Sequence, residues 1–538
     1  MPKIYRRLNL FMAKPMQPSQ GFTDLLANTP VDAYPLALTL GIDGTLYVKR
    51  STDKRPAWGE ILDEATGIAI PGLVSRSSSA VLLLRADGSV FAFAFGYGRY
   101  LLEQSFFVQD FGLRTALNTL DDKSLRSVDL HTLEDQPVQK KSQAARDSEV
   151  GVFGIDILRD VLRAVTGVPK PAIGLKQISG GDAMFSFGVE MEAADLPTLA
   201  QRIKSYYTNN DYKASFSWVD NVRKIKDDVS IDALNAQLVQ AFIAGNSGIM
   251  ITLPEIGSWD QILGFSFTRH KDKVRPTIQL ADYVNTISDL TQLTIDALKR
   301  DRLFVHDVDG EITEHSVYRC IYLEISAGDK TKIVFDGKWY EVDSTFIGRI
   351  NETLDLIQIS TATFPEVEIW DESGTFKIES EGDYNARAAT DHGYFLMDKK
   401  LVKTDRSTSP IELCDLLTPI KQLVHVKHRK GGSAGLSHLF AQGGVAAEIL
   451  LGDKAFRKKA RTVLRGVNPA ARDLVPLDTL KSADYEIVFL ILGEGSGTLK
   501  NNLPFFSKVN LSKTFENLTQ RGFRVSIAGA PTKLRPTP

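Results

Sequence analysis

The run YEIVFLIL, Tyr485–Leu492, constrains this chain more than any other feature. It is far short of the roughly 20 apolar residues that cross a bilayer. It is also too evenly apolar for a strand with one wet face. It predicts a strand buried on both sides, as in the parallel part of a sheet covered by helices. The flanking sequence supplies matching parts. A short helix is expected around 382–390. Strands follow over 393–403, turning at Asp398-Lys399, over 410–417 (PIELCDLL), and over 422–428 (QLVHVKH). Gly431-Gly432-Ser433 turns the chain into a helix over 434–451, with Ser433 a suitable N-cap. A helix over 511–520 and a strand over 523–528 close the segment.

Upstream, strand signals dominate. AVLLL-RADGS-VFAFAF (80–95) reads as a hairpin, because Asp87-Gly88 supplies residues that tolerate positive φ. Asp43-Gly44, Asp309-Gly310 and Asp336-Gly337 mark further turns, the last inside KIVFDGKWYEV. The loop Gly96-Tyr97-Gly98-Arg99-Tyr100 follows a strand; it turns the chain or approaches a phosphate. Residues 131–150 are polar and read as a linker. Ile155, Leu158, Leu162 and Val165 predict a helix over 154–165, and 281–300 a long amphipathic one. The fold class expected is an α+β or α/β multidomain chain. It has a β-rich α/β N-terminal domain (1–130), a mixed middle domain (151–300), a hairpin-rich connection (301–378) and a mixed sheet flanked by helices (379–530).

Charge is uneven. The chain's net charge is −2, yet residues 399–472 hold fifteen Lys and Arg against five Asp and Glu. Such asymmetry points to a polyanionic partner for that segment, nucleic acid above all, with a solvated basic face as the plain alternative. Candidate contacts are Lys399, Lys400, His428, Arg429, Lys430 and His438. Two cysteines, Cys320 and Cys414, are no disulfide framework and suit a reducing, cytoplasmic setting. No membrane segment is expected, and a homo-oligomer is left open.

Candidate chemistry lies in the same segment. Along 422–428, Val424 and Val426 are expected on the core side, leaving His425 and Lys427 together on the other face. The preceding strand brings Glu412 and Asp415 alongside, with opposite parity. On the next helix His438 and Gln442 share a face. A carboxylate beside a lysine has the parts for metal-assisted phosphodiester hydrolysis. The carboxylate holds Mg²⁺ or Mn²⁺, which activates water and neutralises developing charge.

The order of these elements, and the spacing of Asp415 from His425-Val426-Lys427, resemble the restriction-endonuclease-like PD-(D/E)xK nuclease superfamily. The resemblance implies Asp415 (or Glu412) as first metal ligand, His425 in the second acidic position and Lys427 as catalytic lysine. It implies Gln442 as an accessory polar residue and Glu381 as the glutamate of the preceding helix. His425 departs from the usual carboxylate and favours a softer metal than Mg²⁺. The phrases FGLRTALN, VFAFAFGYGRYLL, FDGKWYEV, IELCDLL, LVHVKH and LSHLFAQG resemble those of a sporadically distributed bacterial family of unknown function. That family's patchy occurrence implies mobile or anti-phage defence cargo. The function expected is a metal-dependent nuclease, on DNA before RNA. The alternatives are a non-catalytic nucleic-acid-binding sensor on a degenerate nuclease fold and an RNA-targeting toxin.

Overall fold

In the computed structural model, described over residues 4–535 apart from 51–52, 54, 57, 133–137, 158–159, 247, 255–261, 269–273, 308–311, 328–329, 373–374, 404–409 and 430–433, strands from 4 to 191 share one antiparallel sheet. At its centre Ile4–Met12 pairs with both Met184–Met191 and Ser89–Gly96. The hairpin Ser79–Ala86/Ser89–Gly96 forms as its sequence predicts, with Asp87 and Gly88 at positive φ. One face is covered by helices Phe111–Thr119 and Leu196–Thr208 around Phe91, Phe93, Phe185 and Phe187. Gly112 makes this possible: a Cβ there would stand 2.0 Å from the Met184 carbonyl oxygen.

Two expectations in this region are corrected. The segment read as a linker contains the strand Val138–Ser148, paired antiparallel with Leu120–Thr132 at the end of the sheet. Its Lys and Arg are the charged side chains that protect an edge strand, and together with its neutral Gln they hid the strand from a hydrophobicity reading. The helix expected over 154–165 is instead the strand Asp160–Pro169. Its pairing slips where Asp129 faces Ala164 but Leu130 faces Leu162, so Arg163 is an extra, bulged residue. The bulge moves the next buried side chain from 164 to 165, and the resulting three-residue spacing imitates a helical stripe.

A five-stranded sheet follows: Val222–Lys224, Lys338–Val342, Lys330–Phe335, Ile321–Ala327 and Met250–Ile251, packed on helix Asp228–Ile243. The 332–342 hairpin turns at Asp336-Gly337, both at positive φ. The long helix expected over 281–300 is broken into Leu280–Val284, a 3-10 turn at Leu290–Gln292 and Ile295–Arg300. Asp289 and Thr294 cap the later pieces with their side chains, which is why the break occurs there. The Asp309-Gly310 turn lies outside the described residues.

The C-terminal sheet has six strands in the order Gln358–Ile359, Arg524–Ala530, Glu486–Leu492, Gln422–His428, Leu416–Leu417, Phe395–Leu396. The first four run parallel; Leu416–Leu417 runs against them, antiparallel to both of its neighbours. Every residue of Glu486–Leu492 is buried, as its composition requires. Helices Ala434–Gly452 and Phe505–Gln520 cover one face, and Glu381–His392 contributes to the other. Each large apolar side chain sealed this way contributes roughly 1.5–3 kcal/mol. Among the described residues no helix is long and apolar enough to cross a membrane. Cys320 and Cys414 are free and buried.

Candidate functional site

Helix Glu381–His392 begins at Ser380, whose hydroxyl accepts from the Asp383 N–H at 3.2 Å. This start holds Glu381 against the end of the Gln422–His428 strand. One Glu381 carboxylate oxygen accepts from the His428 N–H at 3.0 Å, and the other meets the Lys427 ammonium at 3.0 Å. Burial works against its ionisation, but the His428 N–H and Lys427 outweigh burial and hold Glu381 below the usual carboxylate range.

The strand expected over 410–417 is instead two short ones, Ile411–Glu412 and Leu416–Leu417, and Asp415 stands in the bend between them, where its Oδ2 accepts from the Val426 N–H at 2.8 Å. Its carboxyl is pushed up to about 7. Burial is the first cause, opposed by that N–H and reinforced by Glu412, Asp398 and Glu381. Glu412 is also raised, by burial and by Asp398, against a hydrogen bond from the Lys399 N–H. Lys399 has φ 59° in the turn after Asp398. The two side chains of that turn come up to the helix start, 3.5 Å and 3.6 Å from where a Gly382 Cβ would be. Glu381, Asp398, Glu412, Asp415 and Lys427 therefore share one electrostatic neighbourhood. Sequence reasoning treated Asp398 as a turn residue. Its signal was the Asp-Lys turn itself, which projects an acid back toward the strand carrying Glu412.

The other expected residues lie elsewhere. His425 does share parity with Lys427, but both faces of its strand are buried, so the expectation of one open face is corrected. His425 is 3% exposed beneath helix Ala434–Gly452, with its ring 6.2 Å from Phe489. Among the described residues its Nε2 has no hydrogen-bond partner, and burial alone pushes the imidazole down to about 4. Gln442 and His438 are exposed on that helix, away from its buried stripe of Leu436, Leu439 and Phe440. His428 is 4% exposed, and its Nε2 meets the Glu379 carbonyl oxygen at 2.7 Å. Lys400 is half-buried. Lys430 and Ser433 lie outside the described residues.

Part of the basic surplus is internal. Arg429 pairs with buried Glu494 and donates to the Asn502 carbonyl. Buried Arg457 donates to the carbonyls of Leu450, Leu451, Leu477 and Asp478, closing the end of the preceding helix. Lys458 and Arg465, on helix Lys454–Val467, are exposed.

Among the described residues no three His, Cys, Asp or Glu side chains already stand as a metal-binding set. The donor chemistry nonetheless suits a hard cation. The acids are oxygen donors, and Mg²⁺ commonly takes one or two carboxylates with the rest of its shell from water and phosphate. The carboxyl of Asp415 is raised by burial first, and the charges of Glu412, Asp398 and Glu381 add to it.

A family model, described as a family of unknown function (DUF6119), matches residues 11–531. No curated protein and no solved structure matches the chain.

Proposed function

The chain belongs to the family of unknown function DUF6119, and from that premise we propose that residues 379–530 form a divalent-metal-dependent nuclease, acting on DNA before RNA. The observation that carries the reading is Lys427, held by Glu381 on the strand whose Val426 N–H binds the raised carboxyl of Asp415. Strand order supports it: the 395, 416, 422, 486 and 524 strands lie side by side in chain order, with a helix before the first and two between the third and fourth.

In this reading Asp415 and Glu412 hold Mg²⁺ or Mn²⁺, with Glu381 at the edge. The metal, when bound, supplies an activated water and neutralises charge on the attacked phosphate. Lys427 faces the phosphate and stabilises its developing charge; Glu381 keeps the ammonium in place. Exposed Lys458 and Arg465 offer phosphate contacts. The resemblance of the sequence phrases supports a setting in mobile-element or anti-phage defence in the cytoplasm. A second reading, a non-catalytic nucleic-acid clamp, is favoured by His425, which fills the second acidic position with a buried imidazole.

The test is incubation of the purified chain with plasmid DNA and with RNA, with and without Mg²⁺ or Mn²⁺. Cleavage that needs metal, and falls by about 100-fold or more in Lys427→Ala, is the expected result. No cleavage with any divalent metal, or an unimpaired variant, would leave the clamp as the better account.

A further inference from the structure

A second concavity lies between the ten-stranded and five-stranded sheets. It is a cleft of about 1390 Å³, and its wall carries eight Lys and Arg against four Asp. Two of those acids are already engaged. Asp336, with a side chain only 3% exposed, meets Arg163, Arg319 and Lys338. Asp182 meets Arg163 at 2.9 Å and Lys338 at 2.8 Å. Two of these pairs, Arg163–Asp336 and Lys338–Asp182, join the two sheets.

Lys224 is different. Its ammonium lies 3.4 Å from the Gln109 amide oxygen, a neutral group. It is pushed down to about 7 by burial first and then by Lys338, against the attraction of Asp182, with Arg163 adding to the repulsion. A lysine held where its own charge is disfavoured destabilises the empty cleft; a bound anion would reverse that. Among the described residues, two buried nitrogen atoms of the lining lack a hydrogen-bond partner. His131, 2% exposed, lines the cleft with Nε2 unbonded, and so does the Nε of Arg163. Arg163 is the bulged residue of its strand, and bulges commonly re-aim a side chain toward a site.

The lining also includes Arg99 and Tyr100, from the glycine loop noted in the sequence. Tyr100 is 61% exposed and so stands where the cleft opens. Its ring lies 6.4 Å from that of Tyr97, and the Arg99 guanidinium is 4.6 Å above it. An exposed aromatic face beside cations is a platform on which a base can stack.

We propose that this cleft binds a nucleotide, with Lys224 and Arg163 on its phosphate chain and Tyr100 against its base. The site is independent of the carboxylate cluster and of the nuclease reading.

Titration calorimetry on the full chain tests it with three probes: ATP, inorganic triphosphate and adenosine. ATP and triphosphate should bind saturably and adenosine should not. Lys224→Met should weaken both by tenfold or more while leaving the melting temperature unchanged or higher, because the variant removes a repelled charge. Lys141→Met, at an exposed lining residue, should weaken both several-fold and guards against a misfolded Lys224 variant. Tyr100→Ala should weaken ATP and spare triphosphate. Lys427→Ala should bind as wild type. The proposal is overturned if neither ATP nor triphosphate binds saturably, if adenosine binds as well as ATP, or if both lysine variants bind like wild type.

Discussion

At Asp415, burial and neighbouring carboxylates favour the protonated acid up to about pH 7, against an ordinary value of 3.8. Between those values the folded chain holds a proton that the unfolded chain has released. Stability contributed by this residue therefore falls as pH rises through that window. Asp415→Asn should make the chain more stable than wild type at pH 8, by on the order of a few kcal/mol, with the gap closing toward pH 4. Urea midpoints across pH check this, and a flat difference would count against the raised acid. Mg²⁺ or Mn²⁺ should stabilise the wild type at pH 8 and move the variant little. Arg429→Glu would set a like charge against buried Glu494 and should cost roughly 3 kcal/mol. Lys458→Glu with Arg465→Glu should stay within about 0.5 kcal/mol per site. The positions of Lys427 and Glu381 were legible because the 422–428 strand and a capped helix start place them; that of Asp415 was not fixed by strand parity, since it stands in a bend between two short strands. The surroundings of His425 were not, because alternation along a strand does not say whether its second face is covered.

The helix Ala434–Gly452 shows how close an element must come for that covering to work. A Cβ on Gly443 would stand 2.5 Å from the Phe489 ring and 3.2 Å from the His425 ring. Gly443→Val should push the helix off the sheet at a cost of about 1–3 kcal/mol, read as a lowered urea midpoint. Gly444→Ala is the contrast. Its nearest neighbour would be 3.8 Å away, so it should be neutral or stabilising by up to about 1 kcal/mol. At this scale the strands 422–428 and 486–492 and the helices around them were readable from apolar runs and turn glycines. What failed was local: a bulge at Arg163 that shifted a strand's period toward a helix's, and a polar edge strand with no apolar face to betray it.

Across the whole molecule, positive charge gathers at two places, the nucleotide-sized cleft and the outer side of helix Lys454–Val467. Nucleic-acid affinity at the second should fall steeply with salt, since each neutralised phosphate releases counterion, and the Lys458→Glu, Arg465→Glu pair should flatten that slope. A salt-independent affinity would refute the surface. The sequence could place the second region because its charges are contiguous. It could not place the first, whose lining comes from residues 11 to 339 and exists only once two sheets meet. The strand Ile4–Met12 lies between two others, with Ile4 opposite Met191. A ribosome must therefore deliver Met191 before the middle of that sheet can close. Until then the Ile4–Met12 strand, which can already pair with Ser89–Gly96, waits with its other edge open, a template for mispairing with any neighbouring nascent chain. Slow closure of that sheet is the expected consequence of where one strand was inserted.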